Sequence, residues 1–76
     1  MKIELNDICL ILNEMGFENE YLCEDTLLKE ELSMDSTEFV LLCLKIKQKW
    51  NIEISPFNLK KIKDIVINCN TKLSQK

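Results

Sequence analysis

The run Leu32-Ser33-Met34-Asp35-Ser36-Thr37 is the one stretch of the chain where a reactive hydroxyl, a helix start and an exposed loop coincide. Ser36 can accept a group on its oxygen there, with the Asp35 carboxylate beside it. It has little help for turning a substrate over. The chain contains no His and no Arg, so the commonest general base, the commonest metal ligand and the bidentate phosphate clamp are missing. A single Gly, Gly16, and a single Pro, Pro56, exclude a glycine loop that cradles a nucleotide. The expectation is a protein that catalyses nothing itself and is acted on by partner enzymes.

The other reactive side chains point to packing. Cys9, Cys23, Cys43 and Cys69 stand 14, 20 and 26 positions apart, without the paired spacing of a zinc ribbon or a redox motif, so no metal is expected. Cys9, Cys43 and Cys69 fall among apolar neighbours at helical spacing, where a thiol acts as a small hydrophobe. Chemistry on the Cys43 sulfur is disfavoured because burial suppresses the thiolate. Charge is lopsided: residues 1–38 carry a net −9 and residues 39–76 a net +6, leaving −3 overall. Lys60, Lys61 and Lys63 could serve as a nucleic-acid footprint. Without Arg, with one Trp and beside an acidic half that repels phosphate backbones, a solvated helix face is favoured.

These residues must be positioned by one domain, since 76 residues leave no room for a second core, and 46% hydrophobic with 30% charged residues suits a folded interior. The longest apolar run, Phe39 to Leu44, is six residues against the roughly 20 of a membrane span. No basic start followed by a long hydrophobic stretch is visible either, so the cytoplasm is the default. Leu5, Ile8, Cys9, Leu12 and Met15 repeat at helical spacing and Gly16 follows as a left-handed cap, predicting a first helix over about residues 2–15. Phe17 to Met34 lacks a sustained period and is rich in acids, among them Glu18 and Glu20, so it reads as a long loop. Leu22, Leu27, Leu28 and Leu32 can tack it down, with a short turn of helix near Thr26 to Glu31.

A second helix begins at Asp35 or Ser36, because Asp35 and Glu38 form an acidic capping box ahead of the apolar run. Phe39, Leu42, Cys43, Ile46 and Trp50 share its core face. Thr37, Val40, Leu41, Leu44 and Gln48 cluster on another face, so apolar side chains are expected at the surface as a docking patch. Asn51 to Ile54 is a loop with Ile52 and Ile54 turned inward. Ser55-Pro56 opens a short third helix through about Lys61, bringing Leu59 and Ile62 inside. Asp64 caps a last helix carrying Ile65, Val66, Cys69 and Leu73, and the tail Ser74, Gln75, Lys76 frays. The expected class is all-α, a small four-helix bundle of three longer helices and one short third helix, with a long loop between helices one and two.

With these elements in register, the sequence resembles the acyl carrier and peptidyl carrier protein family, whose signature is Asp-Ser-Leu at the start of the second helix and reads Asp35-Ser36-Thr37 here. Leu28 and Leu32 precede the serine as that family's loop anchors do, and Val40, Leu42 and Ile46 follow at its helix-two spacing. Trp50, Ile52, Glu53 and Ile54 are similar to its Phe-Asp-x-Glu-Ile segment, and Ile62 and Ile65 match later apolar positions. The resemblance implies covalent 4'-phosphopantetheine on Ser36, moved from coenzyme A by a phosphopantetheinyl transferase, whose thiol holds an acyl or aminoacyl group as a thioester. A phosphodiester there meets unpaired backbone N–H groups and the positive end of the helix dipole, while Asp35 and Glu38 repel it. It further implies an adenylate-forming acyl or aminoacyl ligase and downstream synthase or condensing enzymes as partners, with Asp35, Thr37, Glu38, Val40, Leu41 and Leu44 as the partner-binding residues of a monomer.

Two positions depart from the family pattern. Thr37 stands where Leu is usual and Ser33 where Gly is usual three places before the serine. Helix two also reverses the acidic stripe of fatty-acid carriers: Leu41 replaces an acid, and Lys45, Lys47 and Lys49 follow. Charge complementarity selects partners, so this stripe points to a free-standing carrier of a specialised pathway. The plain alternative for Ser36 is a polar first-turn residue with Asp35 doing the capping. On that alternative the chain is a non-modified helical interaction module that uses the Leu41/Leu44 face.

Overall fold

A computed structural model describes residues 2–17 and 22–74. Glu18 and Glu20, assigned above to the long loop, and Gln75 and Lys76 of the tail lie outside the described residues.

Helix α1 spans Leu5–Glu14. It starts three residues later than the periodicity suggests because Ile3 has a better use for its backbone. The Ile3 N–H donates to Asn70 Oδ1 and the Asn70 Nδ2 donates back to the Ile3 carbonyl, both at 2.8 Å. One side-chain amide thus replaces a β-ladder partner and holds Ile3 in the core as extended chain. Asp7 begins the helix proper by accepting the Glu4 N–H at 2.9 Å. At the other end Gly16 takes φ 103°, and the N–H groups of Gly16 and Phe17 donate to the carbonyls of Asn13 and Leu12 at 3.0 and 2.9 Å. This paired bonding is a Schellman cap, which a left-handed residue makes possible.

Helix α2 spans Ser36–Trp50, beginning where the capping box places it. Leu42 and Ile46 are buried, with Phe39, Cys43 and Trp50 packed half-buried at their sides. Asn51 ends the helix in the left-handed region at φ 58°, and its N–H donates to the Lys47 carbonyl at 2.8 Å. Lys47 and Lys49 occupy the last turn, where cations favour the carbonyl end. Beyond it Ile52 is buried and Ile54 half-buried, both turned inward.

The short third helix differs from expectation. It is a single 3-10 turn over Pro56–Asn58, with Ser55 Oγ accepting the Phe57 N–H at 3.3 Å, and does not continue to Lys61. The chain after it is taken up by pairing with the long loop. The Leu28 N–H donates to the Lys60 carbonyl at 2.8 Å, and Leu27 and Lys61 form an isolated antiparallel bridge. Ile62 accordingly belongs to helix α3, Ile62–Ser74. The architecture is all-α, and among the described residues it comprises three α-helices and one 3-10 turn.

The start of α3 anchors the loop. The Ile62 and Lys63 N–H groups, which have no acceptor within a helix, donate to the carbonyls of Thr26 and Glu24 at 3.1 and 3.0 Å. Asp64 caps from inside the first turn, its Oδ2 accepting the N–H of Lys60 at 3.0 Å and of Lys61 at 2.9 Å. These bonds hold its carboxyl below the ordinary range. Asp25 adds ion pairs to Lys61 at 3.9 Å and Lys63 at 3.5 Å. Thr26 is buried, and its Oγ1 accepts the Cys23 N–H at 2.9 Å. Between Leu27 and Leu32 the loop forms hydrogen-bonded turns, the Glu31 N–H reaching the Leu27 carbonyl at 2.9 Å, rather than a helix. Leu28 is fully buried in the core cluster that holds residues of α1, α2 and α3, with Leu22 and Leu32 at its edge. No described helix is long and apolar enough to cross a membrane.

Candidate functional site

Two fixed points determine where Ser36 lies. Upstream, Met34 is 2% exposed and its N–H donates to the Leu28 carbonyl at 3.1 Å, which pins the chain to the core two residues before the serine. Ser33 turns the backbone there in the left-handed region, φ 55°. Downstream, Asp35 Oδ1 accepts the Glu38 N–H at 2.9 Å and Glu38 Oε1 accepts the Asp35 N–H at 3.2 Å. The first helical residue therefore projects outward: Ser36 is exposed, and its hydroxyl has no hydrogen-bond partner among the described residues. Each neighbouring carboxylate gives one oxygen to the cap.

Ser36 opens on a groove of about 470 Å³ between the loop, α2 and the 3-10 turn. Leu27, Met34, Phe39, Pro56, Phe57 and Leu59 supply its apolar lining, and Lys29, Glu30 and Lys60 its charges. The sequence reading missed this groove. Lys29 and Lys60 come together only through the backbone pairing of Leu28 with Lys60, and such pairing leaves no periodic signal. Phe57 was also missed. It is 91% exposed and stands in a three-residue turn too short to show a helical face.

The expected partner-binding residues lie together along α2. Asp35 and Glu38 form its cap, and Thr37, Val40, Leu41 and Leu44 follow at helical spacing, all four exposed. Val40 and Leu44 also border a second, shallower groove of about 310 Å³ with Cys43, Lys47, Glu53 and Ile54. The helix's lysines are held locally. Lys45 pairs with Glu14 at 3.7 Å, Lys47 with Glu53, and Lys49 lies 5.6 Å from the centre of the Trp50 ring. The Lys47 hydrogen bond and charge lower the Glu53 carboxyl. Lys61 and Lys63, two of the three cations suggested as a nucleic-acid footprint, lie within ion-pair distance of Asp25 at the surface.

The thiols behave as packing groups. Cys9 and Cys69 are buried and Cys43 is half-buried, and burial raises all three, Cys69 to about 11. Cys23 is exposed, its sulfur 3.1 Å from Thr26 Oγ1. Among the described residues no cluster of acids and thiols is arranged to hold a metal.

The fold and the site thus define a small all-α domain with one exposed, unengaged serine at a helix start, beside an apolar groove. No family model matches the chain, and no characterised protein is detectably similar to it in sequence.

Proposed function

We propose that this chain is a free-standing carrier that holds acyl or aminoacyl groups on a 4'-phosphopantetheine arm at Ser36, in a specialised biosynthetic pathway of the cytoplasm. The observation that carries the reading is the exposed Ser36 hydroxyl at the first position of α2, unengaged among the described residues and fixed between the Met34 anchor and the Asp35–Glu38 cap. The residues present fit the group. An exposed oxygen is open to a phosphopantetheinyl transferase, and first-turn N–H groups face the phosphodiester it would bear. In that transfer the serine oxygen bonds to the pantetheine-side phosphorus of coenzyme A, the bond to the adenosine-side phosphate breaks, and the transferase takes the serine proton. When bound, the arm supplies a thiol that carries cargo as a reactive thioester. Ser33 adds support, since its left-handed backbone stands where the resembled family has Gly, the residue that adopts this conformation freely.

An adenylate-forming acyl or aminoacyl ligase would load the arm and synthase or condensing enzymes would unload it. Thr37, Val40, Leu41 and Leu44 form the face that such enzymes would meet. A second reading draws on that same face: Val40, Leu41 and Leu44 are 50%, 43% and 52% exposed, enough apolar surface for an unmodified helical interaction module. Incubation with coenzyme A and a promiscuous transferase, followed by intact mass, separates the two. The carrier reading requires an added arm on the wild type and none on Ser36→Ala. An unchanged wild-type mass overturns it.

A further inference from the structure

Ser36 shares its groove with two cations that the fold brings there from separate segments. Lys29 follows Leu28, whose N–H bonds to the Lys60 carbonyl, and both lysines line the groove onto which Ser36 opens. Lys45, Lys47, Lys61 and Lys63 each hold a carboxylate, whereas Lys29 and Lys60 hold none among the described residues. Glu30 is the one acid lining the same groove, so its charged groups sum to a single positive charge. Asp35 and Glu38, each with one oxygen in the cap, keep their negative charge beside the serine, so the two lysines are what offsets their repulsion of an anion there. A group attached at Ser36 through a phosphodiester brings one negative charge to a groove whose lining includes two ammonium groups on flexible stems.

We propose that Lys29 and Lys60 hold the phosphodiester of the arm at Ser36 and so fix the arm's root at the groove. The inference rests on the carrier reading and deepens it. These lysines are positioning residues that set the direction in which the arm leaves the helix, while leaving its far end free.

The test uses the full chain loaded from coenzyme A by a promiscuous transferase, with intact mass establishing that the arm is present. No arm on the wild type rejects the carrier reading and this inference together. With the arm present, the inference stands or falls alone. Lysine ammonium resonances of the apo and loaded wild type are compared, and the phosphorus resonance of the phosphodiester is recorded in wild type, K29Q/K60Q and K29R/K60R. Expected on loading is a displacement of the Lys29 and Lys60 resonances that fades as salt rises, with Lys72 unmoved. The K29Q/K60Q phosphorus resonance should move to that of the loaded chain unfolded in denaturant, and the Arg pair should retain the wild-type value. Lysine resonances indifferent to loading, or a phosphorus resonance indifferent to the Gln pair, overturns the proposal. Both side chains are exposed and the Lys60 tie to Leu28 runs through the backbone, so the variants keep the fold, and the wild-type lysine comparison needs no variant.

Discussion

Replacing Leu28 by Ala tests whether the loop ahead of Ser36 is part of the core. Leu28 is 0% exposed, packed among residues of all three helices, and its backbone ties the loop to Lys60 and Met34. Truncating a leucine so buried removes its transfer free energy and leaves a cavity, together about 2–5 kcal/mol. A chain of 76 residues holds roughly 4–11 kcal/mol at the usual stability per residue, so the loss is a large share of the total. The same chemical change at Leu44, 52% exposed, should stay within about 0.5 kcal/mol. Urea unfolding followed by the fluorescence of Trp50, the single tryptophan, reads both. At a slope of about 1 kcal/mol per molar, Leu28→Ala lowers the midpoint by roughly 2 M or more, and Leu44→Ala by about 0.5 M or less. A Leu28→Ala midpoint close to wild type would mean that the loop lies on the surface as a separate flap. A Leu44→Ala loss as large as that of Leu28→Ala would mean that the α2 face is covered.

Ser33→Gly should stabilise the protein by roughly 0.5–1 kcal/mol, because relief at φ 55° exceeds the added freedom of the unfolded chain. The same urea titration checks it, and an unchanged or lower midpoint would contradict the left-handed turn. Asp64→Asn should cost about 0.3–1 kcal/mol at neutral pH, because the amide oxygen can still accept the Lys60 and Lys61 N–H groups but lacks the negative charge that favours a helix N-terminus. Because the Lys61 and Lys60 N–H groups lower the folded carboxyl below 3.8, its contribution is complete above the unfolded value and lost as pH falls through the folded one. Thermal unfolding followed from neutral pH down through the acid range should therefore show the difference between wild type and Asp64→Asn shrinking in acid. Native thiol titration at neutral pH should label Cys23 first, with Cys9, Cys43 and Cys69 held back until unfolding, since burial raises those three. Rapid labelling of Cys69 would contradict the packed α3 face.

What could be read from the sequence was whatever a local signal encodes. The Asp35–Glu38 box fixed the start of α2, and Gly16 marked the end of α1, because caps depend on residue type at a set spacing. The division of α2 into a buried Leu42/Ile46 face and an exposed Val40/Leu41/Leu44 face followed from the helical period. Contacts between distant segments were not legible. Asn70 removes Ile3 from the first helix, and Leu28 and Lys60 pair to shorten the third helix to a 3-10 turn. Neither partner carries a mark of its role. The candidate site divides the same way: Ser36 and its cap were visible as neighbours in the chain, whereas Lys29, Lys60 and Phe57 reach the groove only through tertiary pairing.

The most direct measurement is the site of attachment itself. After loading from coenzyme A, tryptic digestion yields a peptide running from Glu30 to Lys45, which contains three hydroxyls, Ser33, Ser36 and Thr37. Tandem mass spectrometry of that peptide should find the arm on Ser36 and leave Ser33 and Thr37 bare. An arm on either of those two, or none anywhere on the folded chain, would contradict the assignment of Ser36 as the attachment oxygen.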